Sequence, residues 1–194
     1  VQDGAAYYVA MIEDITVRRV QEEQLKHQAG HDALTGLPNR RLFLDRLMQA
    51  LLGARRNRSA TALLMIDLDG FKAVNDELGH AAGDDALREV ARRFRTALRA
   101  SDTVARLGGD EFAVLLEGQS ANGAAKTARK LLRSLEPPIE LAAEPRRLGA
   151  SIGIAMASVA DPDAVVAAAD AAMYAAKRAG GGFRVSGAAE VAAL

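Results

Sequence analysis

The 194-residue sequence contains no cysteine, and it carries no net charge. The absence of cysteine excludes disulfide bonds and thiolate metal ligands, and it is typical of proteins from a reducing compartment. The balance of 25 basic and 25 acidic residues provides no strong field towards nucleic acid or anionic lipid. Any phosphate group must therefore be bound by a local arrangement of residues.

The sequence also lacks an apolar run that approaches the roughly 20 residues needed to span a bilayer, and it shows no signal peptide. We therefore expect a soluble, cytoplasmic fragment without direct membrane insertion, although membrane tethering of the full-length protein is compatible with this pattern. The length suits one domain of ordinary size plus attached elements.

Two adjacent carboxylates occupy a glycine turn between two apolar runs. The runs are Thr103–Leu107 and Phe112–Leu116, and the turn is Gly108-Gly109-Asp110-Glu111. A short glycine turn between strand-like runs predicts a β-hairpin. Neighbouring acids in such a turn repel each other unless a cation is present, so the pattern indicates a metal.

A second acidic element follows another buried-strand pattern, Ala62–Ile66, and reads Asp67-Leu68-Asp69. If the two strands are neighbours in one sheet, Asp67, Asp110 and Glu111 meet at one edge. Hard oxygen ligands of this kind suit Mg²⁺, and two such ions activate an attacking oxygen and stabilise a leaving one. For either element alone, a solvated turn or an acidic helix cap is the favoured explanation, and the metal site is favoured only when the two are taken together.

Hydrophobic periodicity predicts the regular elements. Helices are predicted at residues 40–55, 71–78, 83–99, 122–135 and 162–179. Strands are predicted at residues 61–67, 103–107, 112–116, 139–141, 147–156 and 183–186. Mixed helices and strands with a central hairpin predict an α+β fold, in which helices flank a central, mostly antiparallel sheet.

The first thirty residues predict attached elements. Tyr7–Ile12 is a predicted strand without a neighbouring partner, which favours a truncated upstream domain. The segment 11–16, followed by Arg18, resembles the end of a PAS sensor domain, so residues 1–15 are interpreted as its last strand or, alternatively, as a stray β-arm. Residues 16–30 predict an N-terminal linker helix, which either dimerises as a signalling helix or is a solvated linker.

The segment Arg106–Phe112 resembles the signature of the GGDEF family, the bacterial diguanylate cyclases. Further blocks resemble that family in the same order, at residues 31–40, Asp67–Asp84, Ser151–Ala155 and Ala169–Lys177. A chance match of all these blocks is excluded in practice. We therefore assign residues 31–187 to this domain and residues 188–194 to a tail.

The resemblance implies a fold akin to adenylyl cyclase and polymerase palms. It also implies that the enzyme joins two GTP molecules into cyclic di-GMP and releases two pyrophosphates. Each 3′-hydroxyl attacks the α-phosphate of the other nucleotide, so a homodimer with one GTP per subunit is required. The implied cofactors are two Mg²⁺ or Mn²⁺ ions per active site.

The resemblance further implies metal ligands and catalytic residues. Asp67 would bind both ions, the Leu68 carbonyl one of them, and Glu111 is the other metal carboxylate. Asp110 would ligate metal and accept the proton of the 3′-hydroxyl. Alternatively, a metal-bound water or hydroxide accepts this proton. His31 and His80 are not assigned as ligands, because hard cations do not call for imidazole.

The residues implied for GTP binding are Phe71, Lys72, Asn75, Asp84, Leu87, Gly108, Gly109 and Lys177. Backbone N–H groups at the start of the 71–78 helix can hold phosphate oxygens, with the Lys72 ammonium beside them. The Asp84 carboxylate can accept from N1–H and the 2-amino group of guanine, and Asn75 completes this pair. The alternatives are an acid favoured by the dipole of a helix's first turn for Asp84, a core residue for Leu87, and a solvated side chain for Lys72.

The chain departs from the family pattern after Lys177. The family commonly has Lys, two variable residues, Gly, Arg and Asn, whereas this chain has Gly181 where the arginine often contacts phosphate. We expect weaker GTP binding, unless Arg178 or Arg184 supplies the contact.

Arg99 and Asp102 occupy the position of the family's product-binding inhibitory site. A guanidinium can stack on guanine and pair with its edge, and the carboxylate can accept from another guanine. Alone, the same residues are explained by a helix C-terminus and the turn after it.

Two other functional classes are considered. One is a catalytically inactive GTP- or product-binding module that regulates an attached or partner domain, such as a phosphodiesterase of the EAL family. The other is a nucleic-acid polymerase palm, which the neutral charge opposes because a template needs a basic surface.

Overall fold

The computed structural model describes residues 29–57, 59–141, 144–157 and 161–187. The predicted sensor strand at residues 1–15, the linker helix up to residue 28 and the tail at 188–194 lie outside the described residues.

The described part of the chain forms one sheet with helices on both faces. The helices are α1 (Arg40–Asn57), α2 (Phe71–Leu78), α3 (His80–Ala97), α4 (Ala121–Leu135) and α5 (Pro162–Arg178). The strands are β1 (Thr61–Asp69), β2 (Thr103–Gly108), β3 (Glu111–Glu117), β4 (Gly149–Ala157) and β5 (Gly182–Val185). They are ordered β2-β3-β1-β4-β5, and only the β4–β5 pair is parallel. The α+β prediction is thereby confirmed.

The central strand β1 is buried on both faces because the core is divided between them. Its residues Leu64 and Ile66 pack in a cluster with α2, α3 and α4, whereas Leu63 and Met65 pack with α1 and α5. Successive side chains of a strand alternate between faces. Asp67, two residues after Met65, therefore lies on the α1/α5 face at the end of the central strand.

Helix α3 begins earlier than predicted. It starts at His80 rather than residue 83, directly after Gly79, whose φ of 83° separates it from α2. Gly83 is therefore inside the helix, and Asp84 lies beyond its first turn. The expectation that Asp84 sits in the first turn was wrong, and the dipole explanation of this acid loses weight because the dipole acts within that turn.

The predicted strand at residues 139–141 is also wrong. Ile139 makes a single antiparallel bridge to Arg146, with N···O distances of 2.7 and 2.9 Å between their backbones. Pro137 and Pro138 directly precede Ile139 and lack the N–H that a strand ladder requires. No helix within the described ranges is both long and apolar enough to cross a membrane.

Candidate active site

Asp67 and Glu111 lie directly opposite each other at the ends of β1 and β3. Opposed side chains of an antiparallel pair share one face, with Cβ atoms about 5 Å apart. The N–H of Leu68 donates to the carbonyl of Asp110 at 3.3 Å, which ties the hairpin turn to β1. The sheet thus brings both acidic elements to one edge on the α1/α5 face.

The hairpin turn consists of Gly109 and Asp110, because β2 ends at Gly108 and β3 begins at Glu111. Gly109 has φ of 51° and Gly108 φ of 150°, conformations that glycine adopts at no steric cost. The Arg106 guanidinium holds this turn by donating to the Gly109 carbonyl from Nε at 2.9 Å and from Nη2 at 2.8 Å.

The same guanidinium also binds the segment before α1. Nη1 of Arg106 lies 3.1 Å from each carboxylate oxygen of Asp32. Burial raises the pKa of Asp32, but hydrogen bonds from Thr35 and Arg106 outweigh that effect and leave the pKa below its usual value. Arg106 and Asp32 are 74 residues apart, and no spacing in the sequence indicates their contact.

The Lys177 ammonium donates to Oδ1 of Asp67 at 2.7 Å. This hydrogen bond, together with the charges of Asp67, Asp110 and Asp69, raises the pKa of Lys177 against the opposing effect of desolvation. The Lys177 side chain is 50% exposed, whereas that of Asp67 is 14% exposed. A residue predicted to bind phosphate is therefore paired with a predicted metal ligand.

Glu111 also has a cationic neighbour, which the sequence did not single out. Nη2 of Arg40, at the start of α1, lies 3.5 Å from Oε2 of Glu111, and both side chains are largely exposed. Two cations from different helices thus compensate the two opposed acids.

The donor set fits a hard divalent cation. Within the described ranges, no group of three or more His, Cys, Asp or Glu side chains is arranged to hold a metal by itself. Mg²⁺ usually binds through one or two carboxylates plus substrate phosphates, and the opposed Asp67 and Glu111 provide such a pair. The backbone carbonyl of Leu68, the residue after Asp67, is the third ligand predicted from the sequence.

Asp69 lies on the same face of β1 as Asp67 because the two are separated by one residue. Its Oδ1 accepts a hydrogen bond of 2.9 Å from the hydroxyl of Ser151, a fully buried residue of β4. Its Oδ2 would lie 3.1 Å from a Cβ at Gly181. Asp69 therefore faces the position where the family commonly has arginine. The alternation of residues along β1 indicates the face on which Asp69 lies, but not its contacts with Ser151 and position 181.

Helix α2 begins immediately after β1. Gly70 joins them with φ of 85°, so the first N–H groups of α2 lie beside the end of the acidic strand. Phe71 is buried and Lys72 exposed, which anchors the helix through the first side chain and leaves the second free to reach a ligand.

The Asn75 side chain packs against Gly83, the residue that precedes Asp84. A Cβ at position 83 would lie 2.0 Å from Oδ1 of Asn75, so the Asn75 amide rests on this glycine, one residue before Asp84. Asp84 is exposed, whereas Leu87 is 2% exposed within the core cluster. Nothing in the sequence pattern indicates that Gly83 makes room for the Asn75 amide.

Arg99 and Asp102 form a tight turn after α3. The Arg99 N–H donates to Oδ2 of Asp102 at 3.0 Å, and the Asp102 N–H donates to the Arg99 carbonyl at 3.0 Å. The Arg99 side chain is exposed. This geometry accounts for the turn and holds the Asp102 carboxylate against the Arg99 backbone.

Residues 29–182 match the family described as "Diguanylate cyclase, GGDEF domain". The chain is 48% identical to diguanylate cyclase TpbB of Pseudomonas aeruginosa over 172 residues, which cover 86% of this chain and 40% of that protein. It is also 48% identical to MucR of the same organism, a bifunctional diguanylate cyclase and cyclic di-GMP phosphodiesterase, over 79% of this chain and 23% of MucR. The chain thus spans less than half the length of these curated relatives.

The fold also resembles solved structures of GGDEF domains. The isolated GGDEF domain of TpbB superimposes with a TM-score of 0.79 at 45% identity, covering 82% of this chain and 96% of that one. The GGDEF domain of DgcB from Caulobacter crescentus, solved in complex with c-di-GMP, gives a TM-score of 0.75 at 32% identity, covering 81% of this chain and 95% of that one.

Proposed function

This chain belongs to the GGDEF family of diguanylate cyclases over residues 29–182, and we propose that it condenses two GTP molecules into cyclic di-GMP. The observation that carries the proposal is the pairing of Asp67 with Glu111 across β1 and β3. These acids lie beside the N-terminus of α2, where phosphate oxygens can be held.

In the proposed reaction, the 3′-oxygen of one GTP attacks the α-phosphorus of the other. A new P–O bond forms, the bond between the α-phosphorus and its bridging oxygen to the β-phosphate breaks, and pyrophosphate leaves. Asp110, in the hairpin turn, accepts the hydroxyl proton. A second attack in the reverse sense closes the ring, so two domains must face each other as a homodimer with one GTP each.

The acids at the strand ends would hold two Mg²⁺ or Mn²⁺ ions. Asp67, Glu111 and the Leu68 carbonyl supply the hard oxygen ligands, together with Asp110. Bound divalent cations would offset the charge of the phosphates and increase the nucleophilicity of the attacking oxygen.

The two helices after β1 would bind the nucleotide. The first N–H groups of α2, with Lys72 and Lys177, hold the triphosphate. Asn75 and Asp84 read the guanine edge, an interaction that adenine cannot replace because its edge leaves the carboxylate unpaired. Leu87, which is buried three residues after Asp84, would line the base pocket, and Gly108 and Gly109 would allow close approach because they lack side chains.

We further propose that cyclic di-GMP inhibits the enzyme at Arg99 and Asp102. The support is the turn that joins the exposed Arg99 to Asp102, whose carboxylate accepts from the Arg99 backbone N–H, and the similarity to the DgcB domain solved with c-di-GMP. Product inhibition that is unchanged in Arg99→Ala would remove this assignment.

The cytoplasm, which supplies GTP, is the proposed location, and an upstream sensor domain is the proposed source of regulation.

A second candidate function is a catalytically inactive module that binds GTP or cyclic di-GMP and controls an attached domain. Gly181 favours this candidate, and the bifunctional relative MucR combines a diguanylate cyclase with a phosphodiesterase in one protein, so an attached phosphodiesterase domain is compatible with this family. A module of this kind binds nucleotide without turnover.

The deciding experiment incubates purified protein with GTP and Mg²⁺ and measures cyclic di-GMP and pyrophosphate. We expect a specific activity that rises with protein concentration, since the active form is a dimer. Glu111→Gln is the matched control, because it keeps side-chain size while removing the charge. GTP binding without product in the unsubstituted protein would favour the regulatory module, and equal product from Glu111→Gln would contradict the active-site assignment.

A further inference from the structure

Lys177 has two incompatible partners. Its ammonium lies 2.7 Å from Oδ1 of Asp67, and the proposed function, on which this inference rests, assigns the same ammonium to the triphosphate. Asp67 in turn is the residue proposed to bind both divalent cations, and its carboxylate has two oxygens for this. One of those oxygens is thus engaged by the chain's own cation.

The surroundings favour movement of Lys177 over a fixed ion pair. Its side chain is 50% exposed and projects from the last turn of α5, on a flexible stem of four carbons. Asp67 is fixed from both sides, since β1 pairs with β3 and β4 at this residue. The lysine can therefore leave, whereas the carboxylate stays.

Electrostatic repulsion determines when Lys177 leaves Asp67. A divalent cation on Asp67 would lie a few ångströms from the ammonium, and repulsion between such charges is substantial even in water. A triphosphate beside α2 offers the displaced ammonium a new anionic partner. Arg40 has the corresponding position at Glu111, but it lies on α1, on the other side of the acidic pair.

We propose that Lys177 is a counterion that exchanges between Asp67 and the triphosphate, and that this exchange couples divalent cation binding to GTP binding. With Asp67 paired to Lys177, the cation competes against the ammonium. With GTP present, Lys177 transfers to phosphate, and both carboxylate oxygens become available. By thermodynamic linkage, cation and nucleotide each raise the affinity for the other by the same factor.

The test measures Mn²⁺ binding to the full chain by electron paramagnetic resonance, first without nucleotide. We expect Lys177→Met to bind Mn²⁺ about tenfold more tightly than the unsubstituted protein, because the competing charge is gone. In contrast, its affinity for 3′-deoxy-GTP, which lacks the attacking hydroxyl, should fall. The factor by which this nucleotide raises Mn²⁺ affinity should shrink in the variant.

Two variants with the same change in net charge serve as controls. Lys72→Met removes a proposed phosphate contact without a partner at Asp67, so it should weaken nucleotide binding and leave nucleotide-free Mn²⁺ affinity unchanged. Lys126→Met, exposed on α4, should change neither. Lys177→Arg keeps the charge and should keep the low Mn²⁺ affinity. Thermal unfolding of each variant identifies a folding defect.

Unchanged Mn²⁺ affinity in a folded Lys177→Met would overturn the exchange. An equal gain of affinity in Lys126→Met would also overturn it, since the effect would then come from net charge alone. A protein that fails to bind GTP at all would contradict the proposed function, while nucleotide-free Mn²⁺ binding would still report on the Lys177–Asp67 pair.

Discussion

Gly153 of β4 lies directly beneath Met173 of α5. A Cβ at position 153 would come within 2.2 Å of the Met173 backbone nitrogen and 1.9 Å of the Ala169 carbonyl oxygen. Backbone cannot be displaced as a side-chain tip can, so the contact requires glycine. Since Lys177 follows Met173 by one helical turn, this close packing also sets the position of the lysine beside Asp67.

We therefore expect Gly153→Ala to destabilise the protein by about 2–3 kcal/mol, as overpacking of a core does, and to lower GTP affinity by shifting α5. Urea denaturation and nucleotide binding measure the two effects. Gly53→Ala in α1, where a Cβ meets nothing within 4 Å, is the control and should be neutral or stabilising. Equal stability of both variants would contradict the packing argument.

Gly83→Ala should separate stability from binding. The new Cβ would meet the Asn75 amide oxygen at 2.0 Å, and this side-chain tip can rotate away, so unfolding free energy should change by less than about 1 kcal/mol. The displaced Asn75 amide could then no longer bind the guanine edge together with Asp84. GTP affinity should therefore fall about tenfold, the equivalent of one lost hydrogen bond. The measurement compares binding of GTP and ATP; undiminished preference for GTP would exclude this role of Gly83.

Arg106→Lys should reduce turnover more than it changes the KM for GTP. Lysine keeps the charge but cannot reach the Gly109 carbonyl and both oxygens of Asp32 together, so the turn carrying Asp110 loosens. We expect a stability loss of about 1–2 kcal/mol. Steady-state kinetics and denaturation of Arg106→Lys, Asp32→Asn and the double variant form a cycle, and strictly additive losses would show that the two residues are not coupled.

Glu89 provides a pH-dependent contribution to stability. The hydrogen bond from Arg92, helped by that from Arg93, lowers the pKa of Glu89 to about 2 against the opposing desolvation. Because this is below the unfolded value, the contribution is complete above pH 4.5 and is lost as the pH falls towards about 2. We expect Glu89→Gln to cost about 1 kcal/mol at neutral pH, allowing for solvent screening. Denaturation at a series of pH values should show the two proteins converging in acid; a constant difference would contradict the assignment.

Gly181→Arg tests the missing phosphate contact. We expect a lower KM for GTP, with a loss of stability because position 181 has φ of 100° and a side chain there meets Asp69. Gly181→Ala introduces the backbone strain without the guanidinium. It should therefore lower the free energy of unfolding without lowering the KM for GTP. If KM does not improve in Gly181→Arg, no contact is missing.

The sequence predicted much of this fold because local periodicity was strong. The apolar face of α5, at Val165, Ala169 and Met173, is buried as expected, and the glycine turn connects β2 and β3. The errors at residues 83 and 139 have one cause: a glycine or a short apolar run is compatible with several local structures. Contacts with segments of this chain that are distant in the sequence determine which of these structures forms.

The candidate site divides in the same way. The sequence by itself determined the family and the residues proposed to carry the chemistry, since acids, lysines and glycines stand at the spacings typical of that family. Only the tertiary structure decided which charges meet: Lys177 with Asp67, Arg40 with Glu111 and Arg106 with Asp32. Such pairs depend on sheet register and on how closely α5 packs upon Gly153, and these long-range contacts leave no periodic trace along the chain.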